Sequence, residues 1–248
     1  MRRVLLGHTG LEVSWLAFGT GTHGWGGKSD QTQLGLQGLA NLLRFAYEQG
    51  ITFWDAADQY GSHPHLREAL RGLDRSSVVI TTKTVSRDRR GTEQDLLRFC
   101  RELGTDYLDV VLLHCLTQAD WPKSHAGAME ALSAAKERGL VRAVGISSHS
   151  LGALRVAVES PWVEVILVRL NYAGVRLDGP LSQVVPLLER GHAAGKGLYA
   201  MKVLGCGDLV AEVPRALRYV CDLSYLDAAV VGFVSEEEVR QVVSEVKG

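Results

Sequence analysis

The stretch Phe53-Trp54-Asp55-Ala56-Ala57-Asp58-Gln59-Tyr60-Gly61 decides how the chain is read. An apolar run over 51–54 ends in the carboxylate of Asp55, and Tyr60 and Gly61 follow shortly after. Such a run suits a parallel strand covered on both faces, which needs no polar alternation. Asp55 then closes the strand and Tyr60 stands in the loop beyond it. In alternating β/α folds that end of the strand carries the chemistry. The same residues also suit a buried Asp that caps a turn with Tyr60 packed beside it. Two later strand ends bear on the choice.

Working outward, the pattern repeats. Apolar runs over 15–18, 51–54, 78–82, 110–113, 143–146, 165–170, 197–200 and 228–231 read as strands. Between and after them, 33–49, 64–70, 94–103, 127–138, 151–159, 181–194, 214–223 and 236–246 read as helices. Short apolar strands separated by one helix each ask for parallel pairing through right-handed crossovers. Eight such units in 248 residues favour a closed (β/α)8 TIM barrel, an α/β fold, over an open doubly wound sheet. Before the first unit, 4–6 and 11–14 flank Gly7-His8-Thr9-Gly10, the signature of a short N-terminal β-hairpin. No linker or low-complexity tract divides residues 1–248, so a single barrel domain is expected.

The bulk numbers narrow the partners. A hydrophobic fraction of 46% supports a sizeable core. A net charge of −1 gives no electrostatic case for nucleic acid or a membrane surface as partner. No run approaches the roughly 18–20 apolar residues of a membrane span. Gly7, His8 and Gly10 interrupt any signal-peptide pattern. Cys100, Cys115, Cys206 and Cys221 are widely spaced, without a C-x-x-C pair, so neither a disulfide framework nor a metal site is expected. Free thiols fit a reducing, cytoplasmic setting. The sequence is silent on oligomeric state.

The third predicted strand ends in Lys83 and the fourth in His114. Lysine is rarely buried unless paired. If Asp55 and Lys83 meet in the barrel mouth, each supplies the partner that the other needs. A nearby ammonium favours a phenolate and so lowers a tyrosine pKa from about 10. Tyr60 then serves as proton donor to a developing alkoxide, and His114 orients the carbonyl. Asp55 holds Lys83. This is acid catalysis for carbonyl reduction, and since no side chain gives hydride, a nicotinamide cofactor is implied.

With those residues in place, the chain resembles an aldo-keto reductase. The resemblance rests on Asp55-Ala56-Ala57-Asp58-Gln59-Tyr60-Gly61-Ser62, on the Lys83 and His114 strand ends, and on Gly145-Ile146-Ser147-Ser148-His149. It implies a (β/α)8 barrel, an Asp55, Tyr60, Lys83, His114 tetrad, and NADP(H) or NAD(H) lying extended across the mouth. By position it places Gly19, Thr20 and Asp55 near the cofactor. It places Ser147 and Ser148 where the family has Ser-Asn at the carboxamide, and Asn171 where the family has an Asn. Met201 takes the place of an aromatic ring that stacks on nicotinamide. Lys202, Leu204 and Gly205 fall in the loop over the pyrophosphate. Gly232, Phe233, Ser235 and Gln241 fall at the adenosine end.

That end departs from the family. Gly232 replaces a Lys and Glu238 falls where an Arg stands in NADPH-dependent members. A carboxylate there repels a 2′-phosphate, which motivates NADH as the alternative. The loops that shape the substrate pocket are short, so an open pocket is expected. Trp25 and Trp121 either line it or are ordinary packing tryptophans.

Other features have plainer readings. His63-Pro64-His65 reads as a helix start with surface histidines rather than a metal site. His149 either lines the mouth or lies on the surface. Strand alternation turns Cys115 outward from the barrel. The glycine-rich stretch 19–27 lacks a phosphate-loop ending and reads as a mobile active-site loop. Glu236, Glu237 and Glu238 suit the first turn of a helix. The leading function is an NAD(P)H-dependent oxidoreductase acting on a small carbonyl compound. A redox-sensing or regulatory nicotinamide-binding protein with little turnover is the alternative, and an isomerase without nicotinamide binding is a third.

Overall fold

The computed structural model describes residues 1–247. An antiparallel pair, β1 (Arg3–Leu5) and β2 (Glu12–Ser14), precedes a closed barrel of parallel strands. The staves are β3 (Leu16–Gly19), β4 (Phe53–Asp55), β5 (Val79–Thr84), β6 (Leu108–Leu116), β7 (Val141–Ser148), β8 (Val165–Arg169), β9 (Gly197–Met201) and β10 (Ala228–Gly232). β10 pairs with β3 and closes the ring.

Two apolar layers follow from strand alternation. Phe53, Val79, Val110, Leu112, Val165, Leu167 and Tyr199 fill the barrel, joined by Leu6, Leu11 and Val13 of the hairpin segment. The hairpin therefore plugs one end. Trp54, Ile80, Val111, Ile166 and Val168 face outward against the helices. On β8, inward Val165 and Leu167 set Arg169, two residues on, toward the interior at the opposite end, the mouth.

The helical layer comprises α1 (Gly35–Glu48), α2 (His63–Leu70), α3 (Arg89–Leu103), α4 (Trp121–Ser124), α5 (Ala126–Glu137), α6 (Leu151–Glu159), α7 (Leu181–Ala193), α8 (Val213–Cys221) and α9 (Glu236–Lys247). Capping sets several boundaries. Asp88 accepts from Gly91 N, so α3 starts ahead of the expected 94. Gly104, at φ 70°, ends it. Ser150 accepts from Ala153 N and opens α6 at the expected residue. The expected helix from 33 begins as a 3-10 turn, Thr32–Leu34, and Gly35 opens α1.

β6 departs most from expectation. It runs well past 110–113, and its pairing with β7 shifts register between Leu113 and Leu116, with Cys115 at φ 58°. This bulge breaks simple alternation. Among the described residues no helix is long and apolar enough to cross a membrane. Nor does any cluster of His, Cys, Asp or Glu there have the makings of a metal site.

Candidate active site

Three neighbouring staves deliver the four expected side chains to one place. Asp55 ends β4, Lys83 lies near the end of β5, and His114 lies on β6. Lys83 is fully buried, and its Nζ donates to Asp55 Oδ1 (2.6 Å) and Ala56 O (2.8 Å). Burial of that ammonium is tolerable because a carboxylate and a carbonyl satisfy it. The other Asp55 oxygen accepts from Tyr199 Oη (2.8 Å). Tyr199 went unnoticed in the sequence, although it is an inward position on β9. Tyr60 Oη lies 3.3 Å from His114 Nε2, and Lys83 Nζ lies 4.9 Å from the Tyr60 ring centroid.

The electrostatics correct one expectation. Burial, then the Asp55 carboxylate, holds the Tyr60 phenol well above its ordinary value. Lys83 does not offset this, because its charge is engaged with Asp55 and burial pushes its own pKa down. The phenol is thus kept protonated rather than acidified. Burial and then Lys83 hold His114 well below the usual imidazole value, so its ring is neutral.

The glycine-rich stretch is built against Tyr60. A Cβ on Gly21 would stand 2.2 Å from Tyr60 Cε2, and one on Gly24 would stand 2.5 Å from Tyr60 Cδ1. The two glycines therefore let backbone close on the phenol ring from the loop side. Below, the turn Asp58–Tyr60 is tied down by Arg98, whose guanidinium binds Asp58 (2.6 Å) and Asp95 (2.7 Å). His63, expected at the surface, is buried. It bridges Glu102 (2.7 Å) and Thr82 (2.8 Å).

Two cavities meet at Tyr60. The larger, about 460 Å³, runs from the tetrad to the first turn of α9. Gly19, Asp55, Met201, Lys202, Leu204, Gly232, Phe233 and Gln241 line it, as expected for cofactor residues. Six expected positions do not, and of these Ser147 lines the smaller cavity instead. Thr20 is buried and donates to Asp55 O (2.9 Å). Ser148 donates to Ser150 O (3.1 Å). Asn171 Nδ2 donates to the carbonyls of Val175 and Lys202, bracing the loop after β8. Gly205 is buried within the loop at φ 60°. Ser235 caps α9 by accepting from Glu238 N (3.3 Å). These five are engaged within the protein, Thr20 and Asn171 by backbone distant in the chain.

The smaller cavity, about 230 Å³, holds Trp25, Tyr60, Lys83, His114, Cys115, Ser147 and His149 on its wall. Trp25 is exposed and its ring lies 6.2 Å from that of His114, as a substrate wall requires. Trp121 is wholly buried against Trp162 and is a packing residue, so that expectation is corrected. Cys115 is corrected too. The β6 bulge brings it to the cavity wall, where its Sγ lies 3.6 Å from His149 Nε2 and its amide donates to Ser147 Oγ (2.8 Å).

At the far end of the larger cavity, a Cβ on Gly232 would stand 2.2 Å from Thr22 Oγ1. Thr22 is locked to Gln31 by two hydrogen bonds (2.9 and 3.0 Å). Glu238 lines the same wall, and its Oε2 accepts from Val234 N (2.8 Å). A long groove with apolar walls, glycines at close approach and a helix N-terminus at one end fits an extended dinucleotide.

Comparison with known proteins gives the same picture. The model of the Aldo/keto reductase family matches residues 16–223. The uncharacterized oxidoreductase YtbE of Bacillus subtilis is 31% identical over 166 residues, covering 61% of this chain and 53% of that protein. L-galactose dehydrogenase of Arabidopsis thaliana is 27% identical over 227 residues, covering 84% and 67%. The chain spans about half the length of the two Bacillus subtilis relatives it matches, 53% and 48%. A Pseudomonas aeruginosa structure assigned to the aldo-keto reductases superposes with a TM-score of 0.83 at 26% identity, covering 98% of this chain and 93% of that one.

Proposed function

The chain belongs to the aldo/keto reductase family, and from that premise we propose that it reduces an aldehyde or ketone to an alcohol with a nicotinamide dinucleotide. One observation carries the reading. Tyr60 lines both the long groove and the small cavity, as do His23, Leu167, Met201 and Lys202, and among these side chains its hydroxyl is the one paired with a neutral His114. A proton donor is thereby set between a cofactor groove and a substrate chamber.

The bound dinucleotide supplies hydride to the carbonyl carbon. Tyr60 Oη gives its proton to the carbonyl oxygen as negative charge develops there. A phenol held protonated in the resting site is ready for that step at any neutral pH. His114 Nε2, at 3.3 Å from the phenol oxygen, orients the same carbonyl. Lys83 stays on Asp55 and Ala56 O as the proton leaves, with its Nζ 4.9 Å from the Tyr60 ring centroid. Asp55 and Tyr199 keep that ammonium in place. Trp25 closes the chamber over the substrate. Met201, Lys202, Leu204 and Phe233 line the path of the dinucleotide.

For the cofactor we infer NADH over NADPH. A 2′-phosphate at the start of α9 would meet the Glu238 carboxylate, which Val234 N fixes on the groove wall. The space a larger residue would take at 232 is filled by the Thr22–Gln31 pair. A carboxylate in such a place suits a ribose hydroxyl.

Turnover of a test aldehyde by wild type and Tyr60→Phe, with dinucleotide affinity measured alongside, tests the reading. The expected result is lost turnover with nearly unchanged dinucleotide binding. Equal turnover would remove Tyr60 from the role. Fluorescence titration with both dinucleotides tests the preference, and much tighter NADPH binding would refute it.

A further inference from the structure

Across the mouth from the tetrad, the ends of β7, β8 and β9 gather polar groups that the reduction step does not use. Alternation on β8 turns Arg169 inward. Its Nε lies 3.5 Å from Asp178 Oδ1. Yet neither that nitrogen nor either Asp178 oxygen makes a hydrogen bond among the described residues. The Asp178 side chain is 0% exposed, while 24% of the Arg169 side chain stays open. Ser148, close by, gives its hydroxyl to Ser150 O instead. A guanidinium has five donors in a fixed fork. Here the fork reaches the mouth with its donors free and only a loosely held countercharge.

Lys202 stands beside it. Its backbone is at φ 62°, a conformation non-glycine residues rarely adopt, and Asn171 Nδ2 bonds its carbonyl (3.0 Å). It lines both cavities, and its ammonium has no ion-pair partner among the described residues. Strain of this kind gathers at functional sites. Arg169 and Lys202 both lie close enough to His149 and Cys115, on the small cavity's wall, to act on their titration. The chamber thus has a neutral tetrad pair on one side and Lys202 on the other, and Arg169 stands at its rim, two residues beyond Leu167 and paired in register with Met201, both of which line it.

We propose that Arg169, with Lys202 as a second cation, binds a carboxylate on the substrate, so that the compound reduced at Tyr60 is a short oxo acid. The forked guanidinium matches a carboxylate in geometry. A carboxylate held at the rim of a chamber of about 230 Å³ leaves room for only a few carbons between it and a carbonyl at Tyr60. The inference rests on the reductase reading and narrows it to a substrate class.

The experiment compares 4-oxobutanoate with butanal, its uncharged counterpart, at saturating NADH. The wild type is expected to favour the oxo acid in kcat/KM by about 10- to 100-fold, the worth of hydrogen bonds to a charged group. Arg169→Gln combined with Asp178→Asn removes both charges and leaves no buried countercharge alone. That variant is expected to lose the preference through KM for the oxo acid and to keep its rate on butanal. Arg169→Lys retains the charge without the fork and is expected to fall between. A wild-type ratio near one, or equal losses on both aldehydes, overturns the proposal. If neither aldehyde is turned over, the reductase reading fails by itself. Calorimetric binding of succinate then decides the wall. Affinity weakened roughly tenfold in the double variant supports it, since a lost charged hydrogen bond is worth that much. Unchanged affinity overturns it.

Discussion

The two sides of the barrel mouth differ in how completely their polar groups are satisfied. On the tetrad side Lys83 holds Asp55 and Ala56 O, Asp55 also holds Tyr199, and Tyr60 pairs with His114. On the facing side Arg169 and Asp178 sit at ion-pair distance without a hydrogen bond, and Lys202 has no partner among the described residues. Of these tetrad groups only His114 Nδ1 is left without a partner, and a network so nearly satisfied is preorganised for the charge that develops. A side with free donors waits for a ligand to complete it. On the proposed reading, chemistry and recognition fall to different sides of one mouth.

Breaking the satisfied side gives the largest effects. Tyr60→Phe removes the proton donor and is expected to lower kcat on a test aldehyde by roughly 100- to 10,000-fold, the usual worth of a positioned acid. Steady-state kinetics read it, and a small loss would mean that water or His114 supplies the proton. Lys83→Met leaves the Asp55 carboxylate buried with only Tyr199 to hold it. Removing one partner of a buried ion pair costs about 3–5 kcal/mol, so a lowered denaturant midpoint is expected. Lys83→Met with Asp55→Asn is expected to recover part of that stability. A double variant no more stable than the single would mean that packing, not charge, is at stake.

A finer break leaves every tetrad atom in place. Gly21→Ala sets a methyl 2.2 Å from Tyr60 Cε2, so the ring must move. Misplacement of a reacting group by about 1 Å costs on the order of 100-fold. The expected result is kcat lowered by roughly 10- to 100-fold with dinucleotide affinity little changed. Gly10→Ala serves as the control for backbone strain, because nothing lies within 4 Å of the added atom while the backbone there sits at φ 72°, which favours glycine. Equal losses in the two variants would show that loop strain, rather than the Tyr60 ring, sets the rate.

The same contrast explains what the sequence made legible. The eight staves are apolar runs, and burial on both faces writes itself as uninterrupted Val, Leu and Ile. Asp55, Lys83 and His114 stood out because each closes such a run where a charged or polar group needs a reason. Tyr199 and Arg169 lie inside their runs, where their largely apolar side chains pass for strand residues. Only the inward parity of β8 and β9, visible once the register is known, gives them a role. Cys115 was placed outward because alternation was assumed through a bulge that no residue type announces. His63 was misplaced and Trp121 left open because a histidine or tryptophan near a strand end has the same composition whether it lines a pocket or fills a seam. Thr20, Ser148 and Asn171 have side chains that bond to backbone carbonyls, some of them distant in the chain, a choice that depends on tertiary geometry.

The smallest expected effect lies in pH, and here the two sides pull in opposite directions. On the facing wall, burial and then Arg169 and Lys202 hold His149 down to about 3, against an ordinary 6.5. With its folded value depressed, the unfolded chain takes up the proton first as pH falls. The stability linked to His149 is therefore complete above about 6.5 and is lost between there and about 3. On the tetrad wall the Tyr60 phenol is raised by burial and by Asp55. Its linked stability is complete below the ordinary phenol value of about 10, and is lost above it as the unfolded chain ionises first. Thermal midpoints measured across pH should then show His149→Gln flattening the acid limb only, and Tyr60→Phe flattening the alkaline limb only. If His149→Gln left the acid limb unchanged, the cations at 169 and 202 would not be pressing on the cavity wall. The oxo-acid side of the chamber would then have lost its electrostatic basis, while the tetrad side stood untouched.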